Sequence, residues 1–360
     1  MSLKKVIFLC PYPHGIAPSQ RFRYEQYLGQ LTVKGIQYEL NAFLTQGQYA
    51  TIYQSGNYFS KISAISYGYL KRLFVLLHVS QYDFVFIHRE ATPAGPPIIE
   101  WLLAKVFRKK IIYDFDDAIW LTDKSNESFF EKKLRWRDKV GSICKWSYKV
   151  SCGNDYLGSY ARQFNKMVVV NPTTIDTLHI HNPDLYARPI NNALTIGWTG
   201  SHSTLKYLEG LASVLQNIER KYPQVRFVAI ADRPPNLELK NLSFIPWNKE
   251  TEIKDLLNFD IGIMPLPDDI WAKGKCGFKA LQYLALEIPA VVSPVGVNSA
   301  IVEDGVNGFC CRSETAWFEA LEKLILDRSL RKRMGVAGRK TVLDHFSVSS
   351  NTFNFLSLFE

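Results

Sequence analysis

The sequence predicts an α/β fold with two Rossmann-like domains that face each other across a cleft. Three observations lead to this prediction. The 360 residues are enough for about two domains of ~150 residues each. Short apolar runs alternate with helix-like segments in both halves, which favours parallel sheets covered by helices on both faces. The two halves are joined near residues 180–192, which read IHNPDLYARPINN.

Four apolar runs predict strands in the first half, at residues 4–10, 82–89, 110–117 and 166–172. Helix-like patterns occupy residues 21–31 and the stretch around 98–107. Each strand is followed by polar, glycine or proline residues, which is the order that a βαβ unit requires.

Five apolar runs predict strands in the second half, at residues 193–200, 225–232, 242–247, 260–266 and 289–294. Helices are expected between them, over residues 203–222, 252–258 and 278–287. From Ser313 onward the pattern is helical, and the chain ends in apolar residues that can pack back on another domain.

Composition narrows the class of protein. Hydrophobic residues make up 47% of the chain and charged residues 21%, which excludes a disordered chain. The six cysteines form no CxxC pair and have no histidine at metal-ligand spacing, so we expect reduced thiols and no metal site. The chain opens without a secretory signal pattern, and no run approaches the ~18 apolar residues of a membrane span. We therefore expect a cytoplasmic protein.

The positive charge is unevenly distributed. Residues 1–190 hold 24 Lys and Arg against 15 Asp and Glu, a balance of +9, whereas the remainder has 19 of each. The excess concentrates at residues 131–149, where basic residues alternate with Trp136, Trp146 and Tyr148. This pattern suits an anionic surface on the inner face of a membrane, or an anionic lipid-linked ligand. A solvated helix face is an equally good interpretation, and no nucleic-acid-binding motif accompanies the charge.

Polar residues follow the predicted strands of the second half, at the edge where open α/β sheets bind ligands. The candidates are Gly200, Ser201, His202, Arg233, Lys275, Gly277, Phe278, Lys279 and Gln282. Cations beside a helix N-terminus favour a diphosphate ligand, although lysines solvated at a helix start are the alternative. Trp247 is either a neighbour of a nucleotide base or a core residue. The chain has no GxGxxG or Walker pattern, which argues against nicotinamide and P-loop chemistry.

The first half offers a second set of polar residues after its strands. These are Gly15, Arg21, Arg89, Glu90, Asp116 and Asp117. The aspartates could bind a metal, cap a helix, or contact a bound substrate. We favour the last interpretation, because the cations of the second half can neutralise a diphosphate without a metal.

The second half resembles the group 1, family 4 glycosyltransferases, which have the two-domain GT-B fold. Residues 277–309 are similar to the family's E-A-M-A-x-G-x-P-V-V block and the D-G-x-N-G that follows it. IGWTGS (196–201) resembles the family's glycine-rich turn, and AIADRP (229–234) its third element. In the first half, VVNPTTID (169–176) resembles the P-N-G-V-D element.

This resemblance implies that residues 1–185 bind the acceptor, that residues 186–345 bind a nucleoside diphosphate sugar, and that residues 346–360 form a helix crossing back to the first domain. It implies a retaining transfer with no required cofactor, to a glycan or lipid-linked acceptor of bacterial surface polysaccharide synthesis. The implied donor-binding residues are Gly15, Trp247 and the second-half set above, and the implied acceptor-binding residues are Arg21, Arg89, Glu90 and Asp116. The implied catalytic residues are Asp116, Asp117, Lys279 and Arg233.

Three family glutamates are replaced in this sequence. Gly274 and Gln282 occupy the positions of two glutamates spaced eight apart, and Ala300 occupies the position of a third. Two alternatives to a transferase stay open. One is a nucleotide-sugar epimerase on the same architecture. The other, suggested by the replaced glutamates, is a non-catalytic nucleotide-sugar-binding partner of another transferase.

Overall fold

The computed structural model describes residues 4–52, 56–122, 128, 135–189 and 193–360, and the account below concerns these residues. The chain forms two compact units. Unit 1 comprises Met1–Thr173 together with Asn351–Glu360, and unit 2 comprises Thr174–Ser350. The boundaries predicted from the sequence lie at residues 185 and 345.

Unit 1 is built on a sheet of six parallel strands in the order β2-β1-β3-β4-β5-β6. The strands are β1 Lys4–Cys10, β2 Ile36–Ala42, β3 Phe84–His88, β4 Lys110–Phe115, β5 Lys149–Cys152 and β6 Val168–Val170. Strands β1, β3 and β4 lie inside the sheet and are buried on both faces from Val6, Phe84 and Ile111 onward, as expected for a parallel sheet under helices.

The helices of unit 1 follow the strands in the manner of βαβ units. They are Pro18–Arg21, Leu28–Val33, Gln46–Ile52, Tyr58–His78, Ile98–Trp101, Lys139–Trp146 and Asp155–Arg162. A π-helical turn, Leu102–Val106, continues the helix that begins at Ile98.

Unit 2 repeats the architecture with strand order β12-β11-β10-β7-β8-β9. Its strands are β7 Thr195–Thr199, β8 Arg226–Ala231, β9 Leu242–Pro246, β10 Ile261–Met264, β11 Ala290–Val292 and β12 Gly308–Cys310. Its helices are Leu205–Glu209, Ala212–Lys221, Glu252–Leu256, Phe278–Ala285, Asn298–Ile301, Glu314–Leu326 and Arg328–Thr341. The prediction of two Rossmann-like α/β domains is therefore confirmed.

The structure differs from the predicted elements in several places. The single helix expected over residues 21–31 is two short helices with a 3₁₀ turn, Glu25–Tyr27, between them. The helix expected over residues 203–222 is interrupted at Gly210, because glycine stabilises helices poorly. Strands β2, β5 and β12 and the helix Tyr58–His78 were not predicted at all.

The end of the chain packs in the core of unit 1. The last helix, Val348–Leu356, carries Phe355, whose ring stacks on Tyr27 with centroids 4.4 Å apart. Phe359 packs against Phe86, and the Tyr148 hydroxyl donates a 2.8 Å hydrogen bond to the carbonyl of Glu360. Residues Asn351–Glu360 thus form part of unit 1.

Phe355 and Phe353 form a matched pair for testing this packing. Phe355 is fully buried, whereas Phe353 is 81% exposed two residues away. Replacing Phe355 with Ala should lower the free energy of unfolding by roughly 3–5 kcal/mol, because the side chain leaves a cavity in the core. Replacing Phe353 with Ala should change it by less than about 0.5 kcal/mol. Urea denaturation of both variants measures the difference, and equal effects would contradict the packing described.

Candidate functional site

A left-handed turn at Gly277 begins the helix Phe278–Ala285 in unit 2. Gly277 has a φ of +68°, and a Cβ at this position would lie 2.2 Å from Cδ1 of Ile301. Glycine is therefore required on two grounds, backbone conformation and space. The turn fixes where the helix starts and so where Lys279, in its first turn, projects.

Lys279 lies over the indole of Trp198, with Nζ 5.5 Å from the ring centroid. The same indole lies against Gly200, where a Cβ would be 2.4 Å from the ring. Trp198 belongs to β7, and Gly200 follows that strand directly. The structure therefore brings Lys279 and Gly200 to one end of β7, although they are 79 positions apart in the sequence.

Tyr283 joins the ends of two neighbouring strands beneath this site. Its hydroxyl accepts a 3.0 Å hydrogen bond from the amide of Thr199 and lies 3.3 Å from the carbonyl of Ile263. Burial raises the pKa of Tyr283 well above its usual value, so the hydroxyl stays neutral. The residue fixes the carboxyl ends of β7 and β10 relative to the helix that carries Lys279.

His202 is held by a carboxylate from the next strand. Its Nδ1 lies 2.5 Å from Oδ2 of Asp232, which directly follows β8. Arg233 is exposed beside Asp232, at the same edge of the sheet. Because β7 and β8 are paired, Ser201, His202 and Arg233 lie at neighbouring strand ends.

The loop before Gly277 carries the other predicted lysine. The ammonium of Lys275 lies 5.0 Å from the ring centroid of Trp271, and Lys273 forms a 3.1 Å ion pair with Asp268. Both lysines therefore have partners within the loop. Their positions just beyond β10 place positive charge near the helix start.

Gln282 belongs to a buried network and is only 1% exposed. Its amide donates to Oε1 of Glu252 at 3.3 Å and lies 3.3 Å from Nε2 of His181. Trp247, which is half-buried, donates its indole N–H to the same carboxylate oxygen at 3.4 Å. Gln282 and Trp247 are therefore linked through the carboxylate of Glu252. The sequence did not indicate that Glu252 and His181 belong to this network.

A concavity of about 420 Å³ opens at the carboxyl ends of β10, β11 and β12. Its lining includes Lys206, Asp268, Ser293, Arg312 and Trp317. Lys206 and Arg312 were not selected from the sequence. Lys206 could have been found, because it lies in the helix turn directly after the glycine turn at residue 200.

In unit 1, Arg89 binds both predicted catalytic aspartates. Its Nε lies 2.7 Å from Oδ1 of Asp116, and its Nη2 lies 3.0 Å from Oδ2 of Asp117. Burial alone would raise the pKa of Asp116, but the Arg89 charge outweighs it and lowers that pKa. Arg89 also has a φ of +60°, a conformation that non-glycine residues adopt at a cost and that occurs often at functional sites.

Glu90 and the basic stretch of the first half meet in one ion pair. Lys139 is 3% exposed, and its Nζ lies 2.7 Å from a carboxylate oxygen of Glu90 and 2.9 Å from the carbonyl of Thr92. This lysine is therefore unavailable to an anionic membrane, and residues 131–134 of the stretch lie outside the described residues.

The two remaining predicted residues of unit 1 also have contacts. Gly15 donates its amide hydrogen to Glu25, and the Arg21 guanidinium packs on the ring of Phe22.

A buried charged cluster that the sequence analysis missed lies beside these residues. Asp114, the fifth residue of β4, pairs with Arg23 and accepts hydrogen bonds from the Ser151 hydroxyl at 2.6 Å and the His88 ring at 2.8 Å. Burial alone would raise the pKa of Asp114, but Arg23 and His88 hold it well below its usual range. Arg23 also donates to the carbonyl of Asn171, so the cluster ties the ends of several strands together.

Comparison with known proteins agrees with this architecture. Residues 192–341 match the family model described as glycosyl transferases group 1. Unit 2 therefore contains a region similar to the group 1 glycosyl transferases, which we call the group 1 domain. A search of curated proteins found no match to the chain.

Solved glycosyltransferase structures share the fold of the group 1 domain and of unit 1. Sucrose-phosphate synthase from Thermosynechococcus elongatus is 11% identical, with a TM-score of 0.71, over 99% of this chain and 98% of that chain. HepE from Anabaena, in complex with UDP and glucose, is 14% identical, with a TM-score of 0.66, over 99% of both chains. A glycosyltransferase from Rickettsia africae is 15% identical, with a TM-score of 0.64, over 100% and 98%.

No group of three or more histidine, cysteine, aspartate and glutamate side chains comes together as a metal site within the described ranges.

The Asp114 cluster offers a matched pair of aspartate variants. Replacing Asp114 with Asn leaves the buried Arg23 without its counter-charge, so the free energy of unfolding should fall by roughly 3–5 kcal/mol. Asp155 also faces an arginine, Arg162 at 3.7 Å, but it is 87% exposed. Its replacement by Asn should change the stability by less than about 1 kcal/mol. Urea denaturation measures both values, and a loss below about 1 kcal/mol for Asp114→Asn would contradict the described cluster.

Proposed function

We propose that the protein transfers a sugar from a nucleoside diphosphate sugar to an acceptor hydroxyl. The observation that carries the proposal is the meeting of Lys279, Trp198 and Gly200 at the carboxyl end of β7. The group 1 match to unit 2 supports the reaction class. The neighbour HepE, which has been seen with UDP and with UDP-glucose, supports a uridine donor.

The diphosphate would bind at the start of the helix Phe278–Ala285. The dipole of this helix favours negative charge at its N-terminal end. Lys279 and Lys275 add positive charge nearby, and Arg233 adds more at the end of β8. As the bond between the sugar and the diphosphate breaks, these groups would stabilise the negative charge of the leaving group, commonly the largest catalytic contribution.

The donor nucleotide and sugar would contact the loops around this point. We assign Gly200, Ser201 and His202 to the phosphates, because their backbone lies beside the indole under Lys279. Trp247 and Gln282 are assigned to the nucleoside and the sugar. Both donate a hydrogen bond to Glu252, so one of these two bonds must break when the donor binds. Gly15 is assigned to donor binding on the family resemblance alone.

Unit 1 would supply the acceptor side. Arg89 lowers the pKa of Asp116 and also pairs with Asp117. Each carboxylate could accept a hydrogen bond from an acceptor or sugar hydroxyl or stabilise positive charge on the sugar. Arg21 and Glu90 are assigned to acceptor binding. Retention at the anomeric carbon is part of the proposal, and its support is the family resemblance alone.

We further propose a lipid-linked glycan of bacterial surface polysaccharide synthesis as the acceptor, used at the cytoplasmic face of the membrane. The support is the charge of +9 that the first 190 residues carry. None of the helices in the described ranges is long and apolar enough to cross a bilayer.

One alternative has specific support. Gly274 and Gln282 replace family glutamates, which favours a non-catalytic binding partner of another transferase. To distinguish the transferase from the binding partner, purified protein is incubated with UDP-glucose and the release of UDP is measured. Analysis of the products for an epimerised nucleotide sugar tests the epimerase. Neither a binding partner nor an epimerase would release UDP.

Replacing Lys279 with Ala should lower kcat/KM for donor consumption by at least about 100-fold, because the leaving diphosphate loses a positioned cation. Lys332 provides the control, since it is an exposed lysine on the helix Arg328–Thr341 of the same unit. Replacing it with Ala should leave kcat/KM unchanged within about twofold. Steady-state kinetics on both variants measures this, and unchanged turnover in Lys279→Ala would remove the mechanism.

UDP should raise the melting temperature of the protein, because a ligand that binds only the native state stabilises it by about 2.7 kcal/mol at 100 times its Kd. Thermal denaturation with UDP, GDP, ADP, TDP and CMP, each with its sugar conjugate, measures the preference. CMP is the control for a base and ribose with a single phosphate. A melting temperature that no nucleoside diphosphate raises would contradict the proposed donor class.

A further inference from the structure

The inner face of the helix Tyr58–His78 is fixed to the sheet of unit 1. Arg72 is fully buried there and donates hydrogen bonds to the carbonyls of Cys10, Asn41 and Ala91 at 2.7–2.9 Å. Gly68 lies against Phe43, where a Cβ would be 2.4 Å from the ring. These contacts determine which side of the helix faces outward.

The outward side is apolar. Six large apolar side chains lie on it. Residues three, four or eight positions apart lie on the same side of an α-helix, and such spacings link all six, so they share one face. Their exposures are Phe59 92%, Ile62 63%, Leu70 53%, Leu73 51%, Phe74 62% and Leu77 72%. Folded proteins seldom expose so many large apolar residues side by side unless the surface binds something.

A second apolar segment lies beside the helix. The Tyr69 hydroxyl donates to the carbonyl of Ala94, and Lys109 donates to the carbonyl of Ser80 at 2.9 Å, so the chain after β3 runs alongside. This chain exposes Ile98, Trp101, Val106 and Phe107. The apolar surface therefore extends beyond one helix.

The charges around this surface are mostly positive. The sequence has no aspartate or glutamate from residue 40 to residue 82, and none from residue 101 to residue 113. The same stretches carry Lys61 and Lys71, and then Lys105, Arg108, Lys109 and Lys110. Three acidic residues border this surface. Glu39 lines the groove beside Phe74, where it binds the hydroxyl of Tyr82. Asp83 and Glu360 line a second groove together with Phe107 and Arg108.

We infer that this face, the outward side of Tyr58–His78 with the exposed residues 98–108, docks on an anionic lipid bilayer. An apolar stripe with basic neighbours and few carboxylates is the pattern of a helix lying in the membrane interface. A protein partner would require no such excess of positive charge. The buried Arg72 holds the helix flat, so it lies on the bilayer and does not insert across it.

Docking in this way would bring the acceptor side of the protein to the lipid. Tyr69 and Arg72 hold the loop after β3 through Ala94 and Ala91, and this loop begins with Arg89 and Glu90. The loop thus lies about one helix diameter, ~10 Å, from the apolar face. This step rests on the proposed function, whereas membrane binding itself does not.

Vesicle co-sedimentation tests the inference with a matched pair of triple variants. The test variant replaces Leu70, Leu73 and Leu77 with Ser, and the control variant replaces Leu178, Leu185 and Leu326, which are 60%, 55% and 68% exposed in unit 2. The probes are phosphatidylcholine vesicles with and without 30% phosphatidylglycerol, at low salt.

The wild type and the control variant should sediment with the anionic vesicles and less with neutral ones. The test variant should bind at least about tenfold more weakly, because three apolar anchors are lost. Wild-type protein that stays in the supernatant, or a test variant that binds as well as the control, would overturn the inference. A wild-type dimer that only the test substitutions dissociate, without vesicle binding, would assign the face to a second copy and also overturn it.

Two further measurements keep the result interpretable. Circular dichroism checks folding, and if the triple variant unfolds, Phe59→Ser with Leu77→Ser serves as the test variant, with the same expected loss. The UDP-dependent thermal shift should persist in the test variant. If the test variant loses vesicle binding but its melting temperature still rises with UDP, the inference is supported. If UDP does not raise the melting temperature of the wild type, the proposed donor is contradicted, and the membrane inference is unaffected.

Discussion

Both units place their polar groups at one edge because helices cover both faces of a parallel sheet. In such a sheet the strand ends are where charged side chains can reach water or a ligand. In unit 2 this constraint brings Gly200, Arg233 and Lys279 to neighbouring strand ends. In unit 1 it brings Arg89 and Asp116 together. The chemistry of the protein therefore depends on strand order more than on nearness in the sequence.

The sequence predicted the strands that contain a run of apolar residues and missed strands without such a run. Strand β2 is an edge strand with mostly exposed or half-buried side chains, so its residues show no apolar run. Strand β12 has three residues, too few for a pattern. The helix Tyr58–His78 escaped prediction because its outward side is as apolar as its inward side, which removes the polar face that marks a surface helix.

Site residues could be selected from the sequence, but their partners could not. The glycine turn and the lysines after β10 are visible as a pattern, yet the contact of Lys279 with Trp198 requires β10 to pair with β7. The bond of Gln282 to Glu252 and the capture of Asp116 by Arg89 depend on tertiary packing in the same way. The Arg23–Asp114 pair was missed because each residue has an ordinary sequence context and only burial makes the pair unusual.

The central claim is that the diphosphate of the donor binds at the start of the helix Phe278–Ala285. A crystal structure of the protein with UDP tests it most directly. The account predicts phosphate oxygens about 3 Å from Nζ of Lys279 and from backbone amides near Gly200 or Gly277. Phosphates bound away from Lys279, for example deep in the concavity beside Arg312, would contradict it.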